Sequence, residues 1–120
     1  MNPAKTHHPL VNLLLEECPF LELQLDPDDF DLPTIVFGDV AGVLKSRLLS
    51  ESDDARLWQF LNRACESGIQ TTLDIIGTGT IELFNDNADS QGLARAKLNG
   101  AALRLLEEFR VFWGQPDYDR

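Results

Sequence analysis

Four aspartates, Asp26, Asp28, Asp29 and Asp31, fall within six residues, and Glu22 and Asp39 stand near enough to flank them. Carboxylates at this density suit either a hard cation or a basic partner. A calcium loop of the EF-hand kind needs glycine at its sixth position and glutamate at its twelfth. Counted from Asp26, those places hold Asp31 and Phe37, and Pro33 interrupts the segment. Calcium is set aside. What stays open is a solvated loop of clustered like charges, or an acidic surface that docks a basic partner. Opposite potentials speed encounter and exclude wrong partners. Phe30, an aromatic among aspartates, is the expected apolar anchor of such a surface.

The candidate catalytic acids are Asp39, Asp74 and Glu82, each inside a predicted helix, where burial perturbs a carboxyl. No histidine, cysteine or serine pattern completes a nucleophile–base arrangement beside them. The motifs GxSxG, HExxH and GxxxxGK[ST] do not occur, and Gly77-Thr78-Gly79 lacks the third glycine of a nucleotide-binding turn. The plain alternative is that these acids cap helices, pair with Arg56, Arg63 or Arg104, or face water. No catalytic residue and no cofactor is expected. His7 and His8 are the only histidines, short of the three or four convergent ligands of a metal site, so no metal is expected either.

Cys18 and Cys65 form no CxxC pair. The apolar stretch Leu10–Leu15 is followed at once by Glu16-Glu17 and preceded by Pro3 and Pro9, which is not the pattern of an export signal. Two reduced, buried thiols in a cytoplasmic protein are expected. No run approaches the 18 apolar residues of a membrane span.

The elements that would position these residues read as helices. Pro9 suits a first helical position, and Leu10, Leu13, Leu14, Phe20, Leu21 and Leu25 recur at helical spacing, with a break at Pro19. Turn residues make Asp26–Leu32 a loop. Pro33 opens a second helix with the stripe Ile35, Val36, Val40, Val43, Leu44 and Leu48, and Lys45 and Arg47 near its C-terminus suit the helix dipole. Ser52 is the expected cap of a third helix carrying Leu57, Trp58, Phe60, Leu61 and Ala64, which Gly68 stops.

Residues 69–84 are rich in β-branched side chains, which leaves strands around a turn open. Yet Ile69, Leu73, Ile76, Thr80 and Leu83 keep helical spacing, so a buried helix is favoured. Its Gly77 and Gly79 would then need a packing reason. Asp89 or Ser90 is expected to cap a short helix, interrupted at Asn99-Gly100. A last helix runs to Trp113, burying Leu105, Leu106, Phe109 and Phe112 or Trp113. The fold class is all-α, one compact domain spanning 1–120, a bundle of five to six helices with an ordered core near 9–114 and frayed ends.

Composition bounds the partners. The chain has 120 residues, 43% hydrophobic and 25% charged, near the average for a globular domain. Folded, it would expose roughly 6,500 Å² against roughly 19,600 Å² unfolded, enough burial for a core without metal or disulfide. Twenty acids oppose ten bases for a net charge of −10, and residues 1–44 hold eight acids and one lysine, −7 of that total. Direct nucleic-acid binding and attraction to anionic lipid are therefore not expected.

The order of short motifs resembles a known family. Leu32-Pro33-x-x-x-Phe37-Gly38-Asp39-Val40 is followed by Leu57-x-x-Phe60-Leu61-x-x-Ala64 ending in Ser67-Gly68, then Ile81-Glu82-Leu83-Phe84, then Trp113-Gly114. Over roughly residues 10–114 this resembles small, acidic, all-helical bacterial proteins of unassigned function. Members are found among the immunity proteins that neutralise polymorphic toxins in bacterial competition. The resemblance places Gly38-Asp39 and Glu82 on recurrent polar positions and implies no cofactor. The chain departs from the pattern at Gly77-Thr78-Gly79, where larger apolar residues are usual.

The expected function is thus a non-catalytic toxin inhibitor, an antitoxin that binds a basic cognate toxin. Its partner-binding residues are Asp28, Asp29, Phe30, Asp31 and Asp39, with Glu82 and Asp86 outlying. The alternative is an acidic helical adaptor or regulatory subunit, or a homodimer, using apolar surface at Phe112 and Trp113.

Overall fold

The computed structural model describes residues 8–119, so His7 and the expected fraying of the first residues lie outside it. Helix α1 (Pro9–Glu17) starts on its proline. His8 Nδ1 accepts the Leu10 N–H at 3.1 Å, so this imidazole serves as a helix cap. Two 3₁₀ helices, Pro19–Leu23 and Pro27–Asp29, carry the chain through the acidic segment. Helix α2 (Pro33–Ser46) opens on Pro33 and ends at Arg47, whose φ of 57° is left-handed. The α2–α3 turn brings Ser50 to cap α3 (Glu51–Glu66), its hydroxyl accepting the Asp53 N–H at 3.2 Å. The cap is therefore Ser50, not the expected Ser52. Glu51, Asp53 and Asp54 fill the first turn, where the dipole favours anions. Gly68, at φ 72°, ends the helix as expected.

The ambiguous stretch is helical: α4 (Gln70–Gly79) continues into a 3₁₀ helix, Ile81–Asp86. Its two glycines have the packing reason that helix required. A Cβ on Gly77 would sit 2.7 Å from Phe109 Cε2, and one on Gly79 would sit 2.9 Å from Phe37 Cβ and 3.0 Å from the Thr34 carbonyl. Larger residues there would push α2 and α6 away from α4.

Helix α5 (Ala88–Lys97) is capped by the Asn87 side chain, which accepts the Ser90 N–H at 2.9 Å, rather than by Asp89 or Ser90. After Asn99, α6 (Gly100–Phe112) begins without a local side-chain cap. Glu66, at the end of α3, supplies the acceptor instead, taking the Ala101 N–H at 2.7 Å.

The six α-helices pack around one core without strands among the described residues, with an accessible surface of 6659 Å². Leu14, Leu21, Phe37, Leu44, Phe60, Ile76, Ile81, Phe84 and Leu106 are fully buried. Trp58 packs on Phe84 with ring centroids 5.3 Å apart. Cys18 and Cys65 are free and buried, and burial pushes each thiol up to about 11. Among the described residues no helix is long and apolar enough to cross a membrane.

Helical periodicity misplaced the ends of two apolar stripes. Ile35 is 48% exposed and Leu48 87%; Phe112 and Trp113 are exposed as well, against the expectation that one of them is buried. Leu105 and Phe109 are only half-buried. Periodicity gives the direction of a stripe, but its coverage depends on the neighbours. Past Leu106 and Phe109 the last turn of α6 has no layer over it.

Candidate functional site

The acidic segment is ordered by its own backbone. Asp26 accepts the Asp28 N–H on its side chain at 3.0 Å and the Asp29 N–H on its carbonyl at 2.9 Å, and the Asp29 carbonyl accepts the Leu32 N–H at 2.8 Å. These turns leave Asp26, Asp28 and Asp31 exposed and Asp29 half-exposed. Asp39 joins them from α2. Its carboxyl is held above the ordinary value of 3.8 by partial burial first, and then by the charges of Asp29 and Asp26. A helix residue and a loop ten or more positions earlier therefore share one field.

Phe30 does not anchor this surface. It is 7% exposed and belongs to the hydrophobic core. The 3₁₀ turn at Pro27–Asp29 carries it inward, and its carbonyl accepts the His8 N–H at the start of α1. The exposed apolar side chains beside the aspartates are Leu32 (45%) and Ile35 (48%). Sequence reasoning missed them because Ile35 was assigned to the buried stripe and Leu32 to the loop. The available signal was a phase difference: Leu32, Ile35 and Asp39 lie on one helical arc, while Val36, Val40 and Leu44 lie on another.

The two outlying acids stand apart. Asp86 pairs with Lys45 at 3.3 Å, and the same Nζ donates to the Leu83 carbonyl at 2.7 Å. Asp86 is thus tied into the fold, joining α2 to the 3₁₀ helix Ile81–Asp86. Glu82 is half-buried in that 3₁₀ helix and is not among the charges acting on Asp39. The face is taken as Asp39 with Asp29 and Asp26, whose charges act on it, the exposed Asp28 and Asp31 adjoining them in the chain, and the exposed Leu32 and Ile35.

Elsewhere arginines and lysines meet acids: Arg47 with Asp89, Arg63 with Glu17, Arg95 with Glu107 and Asp117, Arg110 with Glu107. Among the described residues none of the five aspartates of the face has an ion-pair partner.

No group of three or more His, Cys, Asp or Glu among the described residues is placed to hold a metal ion. Asp74 accepts from its neighbour Gln70 at 2.8 Å. A polar cleft lined by Gln59, Asn62, Arg63, Glu66 and Asn99 is taken up by structural bonds. There Asn62 donates to the Lys97 carbonyl at 3.1 Å and accepts from Asn99 N at 3.0 Å.

Chemically, the face can attract cationic groups and bury modest apolar area at the same time. Comparison with known proteins finds no matching family model, no similar curated protein and no similar solved structure.

Proposed function

We propose that this chain is an immunity protein: a cytoplasmic, non-catalytic inhibitor that binds a basic toxin through the face around Leu32 and Ile35. One observation carries the reading. Five aspartates lie close together in the chain without an ion-pair partner among the described residues, and two exposed aliphatic side chains, Leu32 and Ile35, lie among them. Mutual repulsion at Asp39 is a cost to the free fold that a cationic partner would remove. A toxin acting on nucleic acids or nucleotides presents a basic cleft that such a surface fills in place of phosphate.

The test is capture of the tagged protein's partner at low and high salt, followed by expression of that partner alone. Immunity predicts one basic protein in near-equal amount whose expression arrests growth. Co-expression of this chain restores growth, and charge reversal at Asp28, Asp29 and Asp31 removes both capture and protection. A captured partner without toxicity, held equally at high salt, would refute the reading.

A second reading has its own observation. Phe112 and Trp113 are 74% and 58% exposed and stack edge to face at 4.9 Å, a presented aromatic pair of the kind that anchors an adaptor or a homodimer. Salt-independent association lost in Trp113→Ala would favour it.

A further inference from the structure

We infer that the outer face of α2 receives a basic amphipathic helix of the partner, lying along α2 and approaching it most closely at Gly42. The inference rests on the docking reading of this face, but not on the partner being a toxin.

The first observation is Gly42 itself. Glycine inside a helix destabilises it relative to alanine, so a reason is expected. Five other glycines of the chain have one. Gly77 and Gly79 lie against Phe109 and Phe37, and Gly68, Gly100 and Gly114 have positive φ; a Cβ on Gly38 would make only an ordinary contact, 3.7 Å from the Gly79 carbonyl. Gly42 is mid-helix and exposed, and a Cβ added to it meets nothing within 4 Å. Among the described residues nothing requires it. Gly92 in α5 shares that property, but none of the exposed large apolar residues lies on α5.

The second observation is what shares its arc. Leu32, Ile35, Asp39, Gly42 and Ser46 follow one another at three- and four-residue spacing, and all are exposed. The arc is apolar at its start and small at its end, so it offers an anchor and then a smooth surface for a close helix crossing.

Charge selects the occupant. The apolar start is rimmed by Asp28, Asp29, Asp31 and Asp39, without a cation paired to any of them among the described residues. A helix with aliphatic side chains on one stripe and lysine or arginine on its flanks satisfies both features. A second copy would set this acidic face against itself in a two-fold interface, and a nucleic acid would meet like charge.

The probe is an 18-residue synthetic peptide of leucine and lysine at helical spacing, with a permuted peptide of the same composition as control. Binding to the full chain is read by fluorescence anisotropy, and the contact surface by amide chemical-shift mapping. The amphipathic peptide is expected to bind about tenfold tighter than the permuted one, with shifts concentrated between residues 28 and 46. Ile35→Asp and Gly42→Leu should each weaken it by about tenfold. Gly42→Ala should raise the melting temperature of the free protein, which shows that the position tolerates a side chain in the fold. Equal affinity for the two peptides, shifts centred elsewhere, or undiminished binding by Gly42→Leu would overturn the inference. If any of these occurs while a salt-sensitive growth-arresting partner is captured, the immunity reading stands with another binding mode. If the peptide result holds and the captured partner is harmless, only the immunity reading falls.

Discussion

Two regions of this molecule handle charge in opposite ways. At the C-terminal end, Arg95 binds Glu107 through two nitrogens at 2.9 and 3.1 Å and Asp117 at 2.8 Å. Beside it the buried Gln91 donates to Asn85 Oδ1 at 2.9 Å and the Pro116 carbonyl at 3.0 Å, and accepts the Tyr118 N–H at 2.9 Å. Arginine and glutamine together strap residues 116–118 across α5 and α6. In the other region, the aspartates around Leu32 have only each other. In the first region polar groups hold the fold together, and in the second they tax it.

The largest effect should come from breaking the strap at its buried member. Gln91→Leu leaves the Asn85 side chain, the Pro116 carbonyl and the Tyr118 N–H short of partners, and should destabilise the fold by about 2–3 kcal/mol. Urea unfolding measures it, and a loss below about 0.5 kcal/mol would mean that the strap is not structural.

Arg95→Met should cost less, about 1–2 kcal/mol, because its partners are partly solvated. It also carries a pH signature. Arg95 and the Asp119 backbone N–H hold the Asp117 carboxyl down at about 2, below its ordinary 3.8. Its contribution is therefore complete above 3.8 and lost as pH falls toward 2. Trp113 fluorescence should report tail release over that interval in the native chain and not in the variant.

The smallest change has the opposite sign. Asp39→Asn removes a carboxylate whose ionisation the fold opposes, so stability at neutral pH should rise, by at most about 0.5 kcal/mol. A raised folded pKa means that the native chain gains this same increment as pH falls through that value toward 3.8, and the variant does not. If Asp39→Asn lowered stability instead, the claim that this face is strained would fail. Gain in stability with loss of partner binding would sharpen the comparison between the two regions.

How much of this was legible beforehand differs by feature. Proline at Pro9 and Pro33 and glycine at Gly68 acted through the local backbone, and the structure agrees with each. The caps at Ser50 and Asn87 were shifted by two or three residues, because several nearby side chains compete for the same N–H groups. For the site, the clustering of Asp28, Asp29 and Asp31 was visible in the chain, and of these Asp29, together with Asp26, acts on the Asp39 carboxyl. Phe30 is core rather than the expected surface anchor, and Asp86, expected as an outlying member, is bound to Lys45. Neither a turn's direction nor the partner of a lysine 41 residues away can be read from spacing.

What the sequence by itself determined is the helical phase of each segment, most of the stopping points and the concentration of negative charge in residues 1–44. These follow from backbone preferences and from counting, which need no partner in space. Only the tertiary structure decided that Phe30 is core while Leu32 and Ile35 face water, and that Gly77 and Gly79 are contact points while Gly42 is open. It alone decided which acids are paired. A helix fixes the direction of every side chain within a few residues, but burial and charge pairing depend on which other helix arrives opposite it.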